Sequence, residues 1–252
     1  NITGLSDALI ESGSIYIGND PSSTTDAAYN NVAVGTTALD AITIGDNNTA
    51  IGYDALSSNT EGDDNTASGA LALYKNISGD GNTASGYKAL YENISGGSNT
   101  ASGIYALTKN TEGNHNTASG YGALNNNTEG GYNTASGSYA LQNNTEGYQN
   151  VASGYAALQE NISGNYNTAL GYRAGDNITT GSNNVIIGKD ADLSANNASN
   201  QIVIGKGATG QGDNYAVIGN AAVTRLYAAQ DAGATLYAAG LNLGGTAVTS
   251  SP

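Results

Sequence analysis

The sequence predicts an all-β fold, a parallel β-solenoid of 17-residue coils. Three observations point there: a glycine every 17 residues, other residue types in register with it, and a second glycine with Asn, Thr and Ser in most periods. From Gly18 the glycine recurs at Gly35, Gly52, Gly69, Gly86, Gly103, Gly120, Gly137, Gly154, Gly171, Gly188 and Gly205 without insertion or deletion, which makes twelve units. A short, strict period of this kind marks a stack in which each unit contacts chiefly its neighbours.

The elements follow in chain order. Residues 1–13 lack the columns and read as an N-terminal cap or the run-in from an upstream part. Residues 14–219 carry the coils. Four residues before each glycine stands Asn, from Asn31 to Asn184, and two before it stands Ala, from Ala33 to Ala169. Four after it, Leu39, Leu56, Leu73, Leu90, Leu107, Leu124, Leu141 and Leu158 form an unbroken series, and ten after it comes the second glycine, Gly45 through Gly181. Helical repeats need about 34 residues and do not carry two glycines per period. Thr-Ala-Ser and Tyr-x-Ala-Leu, bounded by glycine turns, read as two short strands per coil. Twelve coils at roughly 4.8 Å each give a rod of about 55 Å.

Asn columns can satisfy themselves by passing hydrogen bonds from coil to coil. The leucine column is the candidate apolar seam. The positions one and three before the glycine are aliphatic near the ends, as in Val32 and Val34 or Ile202 and Ile204, and hydroxylic in the middle, as in Thr83 and Ser85; the pattern leaves open whether they face in or out. So little apolar area per residue sits poorly against about 1–2 kcal/mol of backbone entropy per residue. Rods bundled as a homotrimer would bury a further face. Past Gly205 the spacing shortens to 14 at Gly219, and Leu226-Tyr-Ala-Ala229 recurs as Leu236-Tyr-Ala-Ala239, so residues 220–252 read as a C-terminal neck or cap segment.

Composition narrows function. The 252 residues include 36 Gly, no Cys and a single His, with a formal net charge of −14. That charge argues against nucleic acid and anionic membrane as partners. No run of about 18 apolar residues is present to insert into a bilayer, and no signal segment opens the chain, whose start at Asn1 suggests a processed or truncated piece. His115 has no cysteine and no base–nucleophile pairing near it in sequence, so no enzyme is expected. Glu112, Glu129 and Glu146 share a column, and with Asp63, Asp64 and Asp80 they are the candidates for a Ca²⁺ ladder. Such a site needs 6–8 convergent oxygens, and solvated turns are the simpler reading, with no cofactor. Triplets such as Asn76-Ile-Ser78 match a glycosylation acceptor but arise from the repeat itself.

Twelve residues after the unit glycine, a turn column runs Ser98, His115, Tyr132, Gln149 and Tyr166, with Tyr148 one place earlier. Aromatic rings on polar turns can stack on sugars while neighbouring Asn and Gln bond the hydroxyls. His115, Tyr132, Tyr148, Gln149 and Tyr166 are therefore the candidate glycan-binding residues; packing against an adjacent chain or turn is the plainer role for the same rings.

The repeated Asn-Thr-Ala-Ser-Gly-Tyr-x-Ala-Leu, as in Asn82 to Leu90 and Asn116 to Leu124, resembles the repeats of phage and phage-like tail fibres. Asn184-Val-Ile-Ile-Gly188 and Gln201-Ile-Val-Ile-Gly205 are similar to the head repeats of trimeric autotransporter adhesins. The resemblance spans about residues 14 to 219 and implies a left-handed β-roll of three intertwined chains, extracellular on a virion-like fibre or a cell surface, attaching to a host receptor or polysaccharide. A period of 17 exceeds the shorter repeat typical of adhesin heads, and an anchor barrel or self-cleaving chaperone part is expected, if present, outside this stretch. Two other functions remain open. Thr and Ser repeated at about 4.8 Å offer a hydroxyl lattice for ice, provided that face is not buried in a trimer. A polysaccharide-degrading solenoid ranks last, because no column supplies a distinct carboxylate pair.

Overall fold

Thr-Ala-Ser segments with one residue turned inward and two outward place the same face inward when they pair edge to edge in register, and the computed structural model shows them doing so. It describes residues 8–18, 27–223, 241–243 and 246–248. β1 (Ala8–Glu11) folds back antiparallel on β2 (Ser14–Ile17). From β2 onward the strands stack in parallel and in chain order: β3 (Val32–Val34), β4 (Thr49–Ile51), β5 (Thr66–Ser68), β6 (Thr83–Ser85), β7 (Thr100–Ser102), β8 (Thr117–Ser119), β9 (Thr134–Ser136), β10 (Val151–Ser153), β11 (Thr168–Leu170), β12 (Val185–Ile187), β13 (Ile202–Ile204) and β14 (Ala216–Ile218). The register offset is 17 residues at every step from β2 to β13, as in Ala84↔Ala101, and the last step shortens to 14, as in Val203↔Val217. The chain is thus a parallel β-solenoid of about twelve 17-residue turns, with no helix among the described residues. Residues 221–252 form a separate unit, in which β15 (Leu241–Leu243) and β16 (Thr246–Val248) make an antiparallel pair. The residue 1–7 part of the expected cap and the Leu-Tyr-Ala-Ala pair at 226 and 236 lie outside the described residues.

One strand per coil replaces the two expected. Tyr-x-Ala-Leu is a turn-rich segment in which the second and fourth residues have left-handed φ, as at Lys88 (56°) and Leu90 (52°). The alternating sign of φ points successive amides up and down the stack: Lys88 N–H donates to Ala70 O of the coil before, and Leu90 N–H to Ala106 O of the coil after. The coil-to-coil hydrogen bonds survive while the pleat is lost. Left-handed φ costs a leucine of the order of 1 kcal/mol, which these bonds and full burial of the side chain offset.

Inside each coil lie the strand Ala, the Ala-Leu pair and two Asn files, all buried. In one file the Asn82 backbone N–H donates to Asn65 Oδ1 (2.9 Å), while Asn82 Nδ2 donates to Gly96 O (2.8 Å). The second file, Asn59 through Asn161, is a direct amide ladder: Asn110 Nδ2 donates to Asn93 Oδ1 at 2.7 Å and to Gly113 O at 2.9 Å. Gly113 O also accepts from Asn99 Nδ2, so each second glycine ties the two files together. These buried amides explain why Asn76 and Asn93 sit in glycosylation-like triplets without presenting their side chains.

The unit glycine is forced by space and by backbone. Gly120 has φ 135°, and a Cβ there would stand 2.7 Å from the Gly137 carbonyl group of the next coil. Near the C-terminal end the leucine file breaks at Gly175, and larger residues fill in. Ile178 replaces the ladder Asn, Ile186 replaces the strand Ala, and both approach the vacant position. The outward positions of the strands are exposed, so the Thr/Ser face whose orientation the sequence left open faces solvent on the single chain.

Candidate functional site

The turn after the second glycine sets out the candidate site. Each residue twelve after the unit glycine has left-handed φ, including His115 (57°), Tyr132 (58°), Gln149 (56°) and Tyr166 (59°), and hangs its side chain outward. Its backbone N–H donates to the coil before, as Tyr132 N–H does to Asn114 O at 2.9 Å. At His115 and Tyr166 the preceding Asn carries an oxygen that fixes the turn. Asn114 Oδ1 accepts Gly97 N–H at 2.7 Å, and Asn165 Oδ1 accepts Tyr148 N–H at 2.7 Å.

On this scaffold the His115 and Tyr132 rings stack at 4.7 Å between centroids and 20° between planes. They line a cleft of about 410 Å³ together with Tyr148, Asn114, Gly131, Glu112 and Glu129. Gly131 is structural here, since a Cβ on it would stand 3.1 Å from the Tyr148 ring. Three of the five expected residues therefore converge, whereas Gln149 and Tyr166 stand exposed in the same column outside the cleft lining. Sequence reasoning placed Glu112 and Glu129 in a different role and passed over Asn114. The signal was present, because all three flank the turn, Glu112 and Asn114 in one unit and Glu129 in the next.

The same turn accounts for two of the Ca²⁺ candidates. Asp63 Oδ1 accepts Asp46 N–H (2.7 Å) and Asp80 Oδ1 accepts Asp63 N–H (2.8 Å), so these carboxylates cap turns in the way Asn114 does. Glu112, Glu129 and Glu146 project into solvent. No three His, Cys, Asp or Glu side chains among the described residues come together as a metal site.

One titrating group stands apart from the cleft. Burial, and then the nearby Asp176 carboxylate, push Asp192 up to about 6, against a weaker downward pull from the Asn177 backbone and Arg173. Among the described residues no helix is long and apolar enough to cross a membrane. The cleft, with three aromatic rings, an amide and two carboxylates, can hold a small polar ring by stacking and hydrogen bonding.

Comparison with protein-family models and with curated proteins finds no match for this chain.

Proposed function

We propose that this chain is an attachment module, the shaft or head of a homotrimeric fibre that binds a host receptor or surface glycan outside the cell and performs no catalysis. The observation that carries the reading is the stacked His115–Tyr132 pair, held with Tyr148 on a rigid solenoid turn. Rigid aromatics lose little rotamer entropy on binding, and a rod repeats its surface at a fixed rise, which suits contact with a repeating cell-surface polymer. Exposed aliphatics on the strand face at both ends, Val32, Val34 and Ile51, then Val151, Leu170 and Ile202, support association of three chains as an intertwined left-handed roll.

Two measurements test this. Native mass should give three times the 25.2 kDa chain. A glycan array should show binding that Tyr132→Ala and His115→Ala remove with the circular dichroism unchanged; binding that survives both substitutions refutes the cleft as the recognition site.

The exposed strand face also favours a second reading. Thr66 and Ser68, Thr83 and Ser85, Thr100 and Ser102, Thr117 and Ser119, and Thr134 and Ser136 form a hydroxyl lattice on five successive coils. Ice-recrystallisation inhibition by the chain, absent in Thr100→Lys, would establish that role in place of attachment.

A further inference from the structure

A second aromatic feature lies beside the unit glycine, on the opposite side of it from the strand. Tyr87, Tyr105, Tyr121, Tyr139, Tyr155 and Tyr172 come from six successive coils and touch in one line. Their centroids are 5.6, 5.8, 5.3, 5.8 and 5.2 Å apart in that order. The first four contacts are edge-to-face, between 75° and 90°, so the rings alternate in orientation. Tyr87, Tyr121 and Tyr155 are exposed, whereas Tyr105 and Tyr139 between them are half-buried. From Tyr87 to Tyr155 the exposed rings therefore recur every second coil, at ~9.6 Å, and the line ends on Tyr172, exposed in the next coil and stacked on Tyr155.

The border of this line is uncharged and rich in hydrogen-bonding groups. The column five after the glycine runs Asn125, Gln142 and Gln159. Asn125 Nδ2 donates to Tyr105 O at 3.0 Å, which seats that column against the ring line, and Gln159 Nε2 donates to Gln142 Oε1 at 2.8 Å. From Ile104 to Gln159 the positions one, two and five after each glycine hold no charged residue. Cations flank the two ends, with Lys88 over the Tyr87 ring at one, and Lys189 over the Tyr172 ring and Arg173 beside it at the other.

We propose that the Tyr87–Tyr172 line is a binding track for a neutral, extended β-linked polysaccharide lying along the solenoid axis. Alternate sugars of such a chain present the same face, and rings exposed at every second coil offer a stacking partner for each repeat of two sugars. The edge-to-face neighbours hold those rings in place, and the Asn125–Gln142–Gln159 amides meet the hydroxyls at the chain's edge. An acidic polymer finds no cation along the middle of the track, and it would approach a chain of net charge −14. A basic protein surface would be drawn to Glu112, Glu129 and Glu146 on the turns instead. The track shares the ligand class of the proposed function but not its site, so either can fail without the other.

The test is partition of the intact chain onto chitin and microcrystalline cellulose, followed by titration with soluble oligosaccharides of whichever polymer retains it. The double variant Tyr121→Ala/Tyr155→Ala should lower affinity by about tenfold or more, with native mass and circular dichroism unchanged. Tyr121→Trp/Tyr155→Trp should keep or strengthen binding, which separates lost stacking from lost folding. Tyr29→Ala, exposed but outside both the track and the turn cleft, should leave this binding intact. No retention on either polymer, retention indifferent to the Tyr121/Tyr155 pair, or a fall in native mass with that pair would each overturn the track; the last would make the line a contact between copies of the chain.

Discussion

Asn161 Oδ1 is fully buried without a hydrogen-bond partner, because the next position in its file is Ile178, which has no amide to donate. At every earlier step from Asn59 to Asn144 the following Asn fills that role, as Asn161 Nδ2 does for Asn144 Oδ1 at 2.7 Å. The ladder thus ends on an orphaned acceptor, whose desolvation costs about 1–3 kcal/mol.

Interrupting the ladder in mid-stack should be far worse than altering its end. Asn110→Leu strands Asn93 Oδ1, removes a partner of Asn127 Nδ2 and takes one donor from Gly113 O. A loss of about 2–4 kcal/mol is expected from the urea midpoint. Ile178→Asn supplies Asn161 with a donor while giving up buried aliphatic area, so it should fall within about 1 kcal/mol of the parent chain.

The leucine seam gives a separate measure of packing. Leu107 is fully buried, and truncation to Ala leaves a cavity that neighbouring coils, fixed by their own hydrogen bonds, fill poorly. Leu107→Ala should cost about 2–5 kcal/mol in the same denaturation experiment.

Glycine substitutions should divide by position. Gly120→Ala sets a Cβ against the Gly137 backbone at 2.7 Å and should prevent a native thermal transition or lower Tm steeply. Gly207→Ala also has positive φ, at 60°, but meets nothing within 4 Å, so its cost should stay near 1 kcal/mol.

Asp192 gives the pH dependence a sign. Its folded value of about 6 stands above the ordinary 3.8, so the folded chain holds the proton more tightly than the unfolded chain. The favourable contribution is complete below the unfolded value and is lost as pH rises through about 6. Asp192→Asn should therefore match the parent at about pH 4 and exceed it at about pH 7 by on the order of 1 kcal/mol, a figure reduced for partial exposure. Thermal melts at the two pH values check this.

Much of this was legible from the chain because each hydrogen-bonded contact between coils recurs after 17 residues, leaving the same residue at the same place. Gly120, Asn116 and Leu124 are each fixed by a contact that the central coils repeat. The left-handed φ at Leu90 was not legible, since nothing local favours it; the hydrogen bonds to the coils on either side impose it. Nor was the tyrosine line, because Tyr105 and Tyr139 stand two after the glycine and Tyr121 and Tyr155 one after it, so no single column shows them together. The turn cleft was half legible. Its rings share or adjoin one column, but only the three-dimensional turn separates Tyr132 and Tyr148 from the equally aromatic Tyr166.

The stack itself can be measured with a ruler, because the chain has no cysteine and accepts spin labels at chosen sites. Labels at Thr66 and Thr134, four coils apart, and at Thr66 and Thr168, six coils apart, read by dipolar spectroscopy with labelled chains diluted among unlabelled ones, should give ~19 Å and ~29 Å. Distances that fail to lengthen in proportion to the number of intervening coils would contradict the solenoid.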